Sequence, residues 1–166
     1  CMRVILVFVI IIFSFNYLKS SEVDNCSYFT EKYSKELNLP NKLLTSISLV
    51  ESGIKREKNI FRPWPWTLNV SGKPIYFNNK TEILKYLKEN IDKKKSIDIG
   101  CMQINARYHL KNFLSLSQIV DPEENVKYAA GFLLRLYKEH RSWNEAISRY
   151  HSSIPIRKKK YLKNLK

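Results

Sequence analysis

Glycine is scarce in this chain, at 4 of 166 residues, and proline adds only 6. Such low shares exclude a collagenous or loop-dominated protein. Three cysteines cannot build the dense disulfide scaffold of a very small secreted domain. Acids are also outnumbered, with 15 Asp and Glu against 29 Lys and Arg, a formal net charge of +14. That field favours polyanions (nucleic acid, an anionic membrane or an acidic wall polymer) without choosing among them. The three histidines, His109, His140 and His151, are scattered and suggest no ligand set, and no metal-ligand spacing occurs. Apolar residues are plentiful, at 44% with 13% aromatic, so a sizeable core can form and wholesale disorder is excluded. The length suits one globular domain.

Val4 to Phe15 is apolar except for Ser14, behind a minimal positive start at Met2-Arg3. The run falls short of the roughly 20 residues that span a bilayer core. It reads as the hydrophobic region of a secretory signal. Lys19-Ser20-Ser21 lacks a good small-residue cleavage pattern, so removal and retention as an anchor both stay open. Loss of about the first 20 residues takes away Arg3 and Lys19 and no acid, leaving a formal +12. The expected division is a signal or N-terminal hydrophobic segment over 1–21, a domain over 22–156 and a basic tail over 157–166. Cys1 precedes Met2 and is assigned no role. In an exported chain the remaining pair, Cys26 and Cys101, is expected to form a disulfide.

Periodicity organises the rest. Phe29, Tyr33 and Leu37 form the stripe of a first amphipathic helix. Pro40-Asn41 is expected to open a second, with Leu43, Leu44, Ile47 and Val50 on its buried face and Gly53 as its C-cap. Trp66 to Val70 and Ile75 to Phe77 read as strands of a small hairpin around Ser71-Gly72-Lys73. Ile83, Leu84, Leu87 and Ile91 mark another helix, capped by Asn78 or Thr81. Asp121-Pro122-Glu123-Glu124 is a strong helix start, followed by Val126, Ala129, Ala130, Leu133, Leu134 and Tyr137 on one apolar face. Ser142-Trp143-Asn144-Glu145 fits a capping box that opens a last helix through Ile147 and Tyr150. No internal repeat is present. The fold class expected is mainly α, a single domain with a small β-hairpin insertion.

Glu51 extends the buried face of the second helix to its end. Burying a charge costs several kcal/mol unless it is paired or neutralised, so acids are rarely placed there without a function. Apolar surroundings raise a carboxyl group's proton affinity, which a general acid at neutral pH requires. On spacing alone Glu51 could equally be a surface acid.

Three segments then occur in order: Glu51-Ser52-Gly53, Gly100-Cys101-Met102-Gln103-Ile104-Asn105, and Ala146-Ile147-Ser148-Arg149-Tyr150-His151. With them the chain resembles the lytic transglycosylase (SLT) domain of the lysozyme superfamily, over roughly Cys26 to Pro155. That family carries an E-S motif ending a helix, a G-L-M-Q-I motif and a later A-Y-N motif. Pro63-Trp64-Pro65-Trp66-Thr67-Leu68-Asn69-Val70 and Ile97-Asp98-Ile99-Gly100-Cys101-Met102-Gln103 look like one exported bacterial branch of it. The resemblance implies a lysozyme-like fold and makes Glu51 the single catalytic acid and base. It puts Met102 and Gln103 in the cleft near the scissile bond, has Tyr150 hold Glu51 through its hydroxyl, and adds Ser52, Asn105 and Tyr128 as substrate-binding or supporting residues. Cys101 stands where the wider family often has Leu, and His151 where it has Asn.

The activity implied is cleavage of the β-1,4 bond between N-acetylmuramic acid and N-acetylglucosamine, leaving a 1,6-anhydro end and using no metal or cofactor. The implied partner is the peptidoglycan glycan strand, met as a monomer in the periplasm or cell envelope. Wall turnover and opening a passage for a cell-envelope secretion apparatus stay open as roles. Glycosidases usually need two carboxyl groups, so a hydrolase using Asp98 to direct water is the nearest rival. A non-catalytic wall-polymer binder is a third reading, and no motif supports nucleic-acid binding. Met102 and Tyr128 could serve core or cleft, and Trp64 and Trp66 could stack on sugars or simply pack.

Overall fold

The first apolar stripe lies on helix α1, Asn25–Glu36. In the computed structural model, which describes residues 25–55, 60–92 and 95–151, Tyr33 is buried and Phe29 and Leu37 pack against the same core. The apolar run over 1–21, its cleavage region and the basic tail over 157–166 lie outside the described residues. Among the described residues, no helix is long and apolar enough to cross a membrane.

Helix α2, Leu43–Ser52, begins later than Pro40-Asn41 suggested. Pro40 instead starts a turn, its carbonyl accepting from the Leu43 amide at 3.1 Å, with Lys42 in the left-handed region at φ 59°. Gly53 does cap α2, but in an extended conformation that runs straight into strand β1, Gly53–Lys55. A Cβ there would collide with the Leu49 carbonyl and the Phe61 ring, so close approach demands the glycine. Strand β2, Phe61–Pro63, pairs antiparallel with β1, Gly53 opposite Pro63.

The expected hairpin is present as β3, Thr67–Val70, and β4, Lys73–Tyr76. Ser71 and Gly72 between them both have positive φ, 52° and 89°, as a tight two-residue hairpin turn requires. The hairpin is not isolated. Strand β5, Ile97–Ile99, adds to the other edge of β3, and β6, Ile104–Asn105, adds to β5, giving an antiparallel sheet in the order β4-β3-β5-β6. Alternation governs β5: Ile97 and Ile99 face the core, and Asp98 between them is half-buried on the other face.

Helix α3, Lys80–Asn90, is capped by Asn79, which lies between the two positions expected, Asn78 and Thr81, and whose Oδ1 accepts from the Glu82 amide at 3.0 Å. Two short helices, α4 (Ala106–His109) and α5 (Leu116–Val120), follow the sheet. Helix α6, Pro122–His140, starts where the cap signal put it, with Asp121 Oδ1 accepting from the Glu123 and Glu124 amides. Its face of Val126, Ala129, Ala130 and Leu133 is fully buried, packed between α1 and α7, Trp143–His151. The domain is mainly helical and lysozyme-like, with a small antiparallel sheet larger than a single hairpin.

Candidate active site

Along α2 the buried positions are Leu44, Ile47, Ser48 and Ser52. Glu51 falls on that stripe, four residues beyond Ile47, at the last turn of the helix. Val50, expected on the same face, is exposed instead. The Glu51 side chain is only 13% exposed, and it lines a cleft of about 580 Å³ between α2, the four-stranded sheet and helices α6 and α7.

The floor beside Glu51 is the segment Gly100–Gln103, held almost wholly through its backbone. Gly100 has φ 78°, and a Cβ on it would lie 2.8 Å from Asn125 Nδ2, so conformation and space both demand glycine. Asn125, at the start of α6, is completely buried. Its Oδ1 accepts from the Met102 amide at 2.9 Å, and its Nδ2 donates to the carbonyls of Ile99 and Ile119 at 2.9 and 2.8 Å. From the other side, the hydroxyls of Ser48 and Ser52 reach the Cys101 carbonyl at 2.9 and 2.8 Å. Ser52 is therefore a buried support, out of reach of a substrate. Cys101 is disulfide-bonded to Cys26, as expected, tying α1 to this floor across 75 positions of sequence.

Met102 is fully buried among core residues rather than exposed in the cleft. What it offers the site is its carbonyl, which accepts the Tyr150 hydroxyl proton at 2.7 Å. The expected Tyr150–Glu51 hydrogen bond is thus replaced, because the phenol's one proton is committed elsewhere. Burial pushes the Tyr150 hydroxyl pKa far above its ordinary value, and the nearby Glu51 charge adds to this, so it stays a donor throughout the physiological range. The group that does meet Glu51 is His151, whose Nδ1 lies 3.3 Å from Glu51 Oε1.

Gln103, with φ 47°, lines the cleft and donates from Nε2 to the Gly100 carbonyl at 3.0 Å. Asn105 lines it too, donating from Nδ2 to Asp98 Oδ1 at 2.7 Å and Ser96 Oγ at 2.8 Å. Burial raises the Asp98 carboxyl above its ordinary value; Asn105 pulls it back, and Glu51 pushes it up again. The opposite wall is aromatic. Tyr128, on α6, joins its hydroxyl to His109 Nδ1 at 2.8 Å and Asn112 Nδ2 at 2.9 Å. Phe132 stacks near Tyr128, and the Arg135 guanidinium lies 5.6 Å from the Phe132 ring centre. Burial lowers the His109 pKa, aided by Arg135 and Lys111, so this imidazole is neutral at pH 7.

Trp64 and Trp66, considered for sugar stacking, are buried in the core, with Trp64 Nε1 donating to the Phe77 carbonyl at 2.8 Å. The aromatic faces open to the cleft belong instead to Tyr108, which is 65% exposed, and to Tyr128 and Phe132. Tyr108, Phe132 and Asn125 carried no signal in the sequence, since none belongs to a recognised motif. The cleft thus gathers a shielded carboxyl, a second acid, amide side chains and aromatic rings, a set suited to bind a sugar chain and move a proton at one of its oxygens.

A family model described as Transglycosylase SLT domain matches residues 28–165. No curated protein and no solved structure matches the chain.

Proposed function

Because the chain belongs to the transglycosylase SLT family, we propose that it is a peptidoglycan lytic transglycosylase with Glu51 as its single acid and base. Glu51 first protonates the glycosidic oxygen between N-acetylmuramic acid and N-acetylglucosamine, and the bond from that oxygen to C1 breaks. The muramic C6 hydroxyl then closes on C1, and the Glu51 carboxylate takes the hydroxyl proton. The cycle ends with Glu51 protonated again and a 1,6-anhydro ring on the product. Gln103, Asn105 and Tyr128 would contact or orient the glycan.

The observation that carries this reading is one carboxyl, 13% exposed, facing a cleft walled by amides and aromatic rings. Action outside the cytoplasm, where the glycan lies, belongs to the same proposal and is supported by the Cys26–Cys101 bridge. The test is mass analysis of digested peptidoglycan: anhydro ends support the proposal. Glu51→Gln should lower cleavage by about 10²–10⁴-fold, the usual worth of general acid–base catalysis, and full activity in that variant would remove Glu51 from the mechanism.

Asp98 lines the same cleft and favours one rival, hydrolysis by a water that Asp98 directs. Reducing ends among the products would establish that reaction in place of the first. Glycan binding without cleavage would leave a wall-polymer binder.

A further inference from the structure

General acid catalysis needs the proton of Glu51 on the oxygen that meets the substrate, and the tyrosine expected to hold the carboxyl points elsewhere. A carboxylic acid carries one proton, and an oxygen that accepts an N–H bond is poorly placed to carry it. We propose that His151 is the positioning residue of Glu51: its Nδ1–H donates to Oε1 and leaves Oε2 to carry the proton into the cleft. This rests on the reading of Glu51 as the acid.

Three observations support it. The ring nitrogen lies 3.3 Å from Oε1, while the Tyr150 proton goes to the Met102 carbonyl at 2.7 Å. His151 closes a helix anchored through buried Ala146, Ile147 and Ser148, so its Cα is held at the cleft wall. Among the described residues, the surrounding groups leave the contact to His151. On β5, Asp98 Oδ1 is occupied by Asn105 at 2.7 Å; on α7, Arg149 pairs with Glu145 at 2.8 Å; on α6 and α4, Tyr128 and His109 bond to each other at 2.8 Å. His151 is 39% exposed, so the contact adds little to stability in open water. Its value lies in orienting the acid once sugar covers the site, and it should therefore be read in turnover rather than in melting temperature.

The two amide side chains separate the ring nitrogens. In His151→Asn the amide can occupy the Nδ1 position and still donate; in His151→Gln it reaches only toward the Nε2 position; His151→Ala removes the donor. We expect Ala and Gln to lower kcat by about tenfold or more, with KM moved less than about twofold, and Asn to restore kcat to within about threefold. Equal kcat in all three, a loss confined to KM, or Gln matching Asn overturns the proposal. A second measurement needs no glycan. Nitrogen-15 spectra of the imidazole at pH 8 should show the Nδ1–H tautomer in the wild type, lost in Glu51→Ala; an Nε2–H tautomer in the wild type overturns the proposal even if a variant fails to fold. If Glu51→Gln still cleaves glycan, the reading of Glu51 as the acid fails; if that variant is dead and His151→Ala turns over normally, only the present inference fails.

Discussion

Tyr150 donates its hydroxyl proton to the carbonyl of Met102 across 2.7 Å, joining residues 48 positions apart in the sequence. The bond ties the last turns of α7 to the floor beside Glu51. Tyr150→Phe keeps the ring and leaves that carbonyl without its partner. We expect a loss of about 1–3 kcal/mol in denaturant-unfolding stability, the cost of an unmet buried acceptor. Cleavage should fall with it, because the floor shifts relative to the acid.

Asp98 gives a pH dependence of definite sign. Its folded-state pKa is raised, chiefly by burial, so the native protein binds this proton more tightly than the unfolded chain does. Stability from this group is therefore fully present below the ordinary aspartate value and is lost as pH rises through the raised folded value. Asp98→Asn keeps an acceptor for Asn105 and removes the charge. The variant should melt higher than the wild type at pH 7, with the difference closing as pH falls to about 3, below the unfolded carboxylate value.

The Cys26–Cys101 bridge closes a long loop, with 75 positions between its ends. Replacing both cysteines with serine should cost about 4 kcal/mol on loop-closure entropy alone, read by chemical unfolding under non-reducing conditions. Wild-type protein unfolded in the presence of a strong reductant should approach the same value.

Two glycines separate conformation from space. Gly72 and Gly100 both have positive φ, 89° and 78°, but a Cβ at Gly72 meets nothing within 4 Å, whereas one at Gly100 meets Asn125. Gly72→Ala should cost about 1 kcal/mol, for backbone strain alone. Gly100→Ala should cost clearly more and lower glycan cleavage as well, since the Asn125 amide must shift from the carbonyls and the Met102 amide it holds. Melting curves of the two variants, taken side by side, test this.

The long helices were readable because each carries several turns of apolar periodicity or a cap. Asp121-Pro122-Glu123-Glu124 marked the start of α6 to the residue. The helices α4 and α5, of 4 and 5 residues, and the strands β5 and β6, of 3 and 2, are too short to show a period. Val50 misled because a four-residue apolar stripe fits two neighbouring faces; the partners of α2, which no local pattern states, decide between them. The motifs located the cleft segments, yet not the direction of each side chain. Met102 turned inward and Tyr150 toward a carbonyl because those rotamers depend on packing between α6, α7 and the floor. Asn125 was invisible for the same reason: a polar residue in a first helical turn looks like solvent-facing surface until the chain returns over it.

The grip on the floor leaves one side chain outside it. Asn125, Ser48, Ser52 and Tyr150 all fasten on amides and carbonyls of residues 99–102, and none of them holds a side chain there. The Cys101 side chain is thus left to the bridge with Cys26. Covalent strap and polar grip therefore hold the same segment through separate atoms.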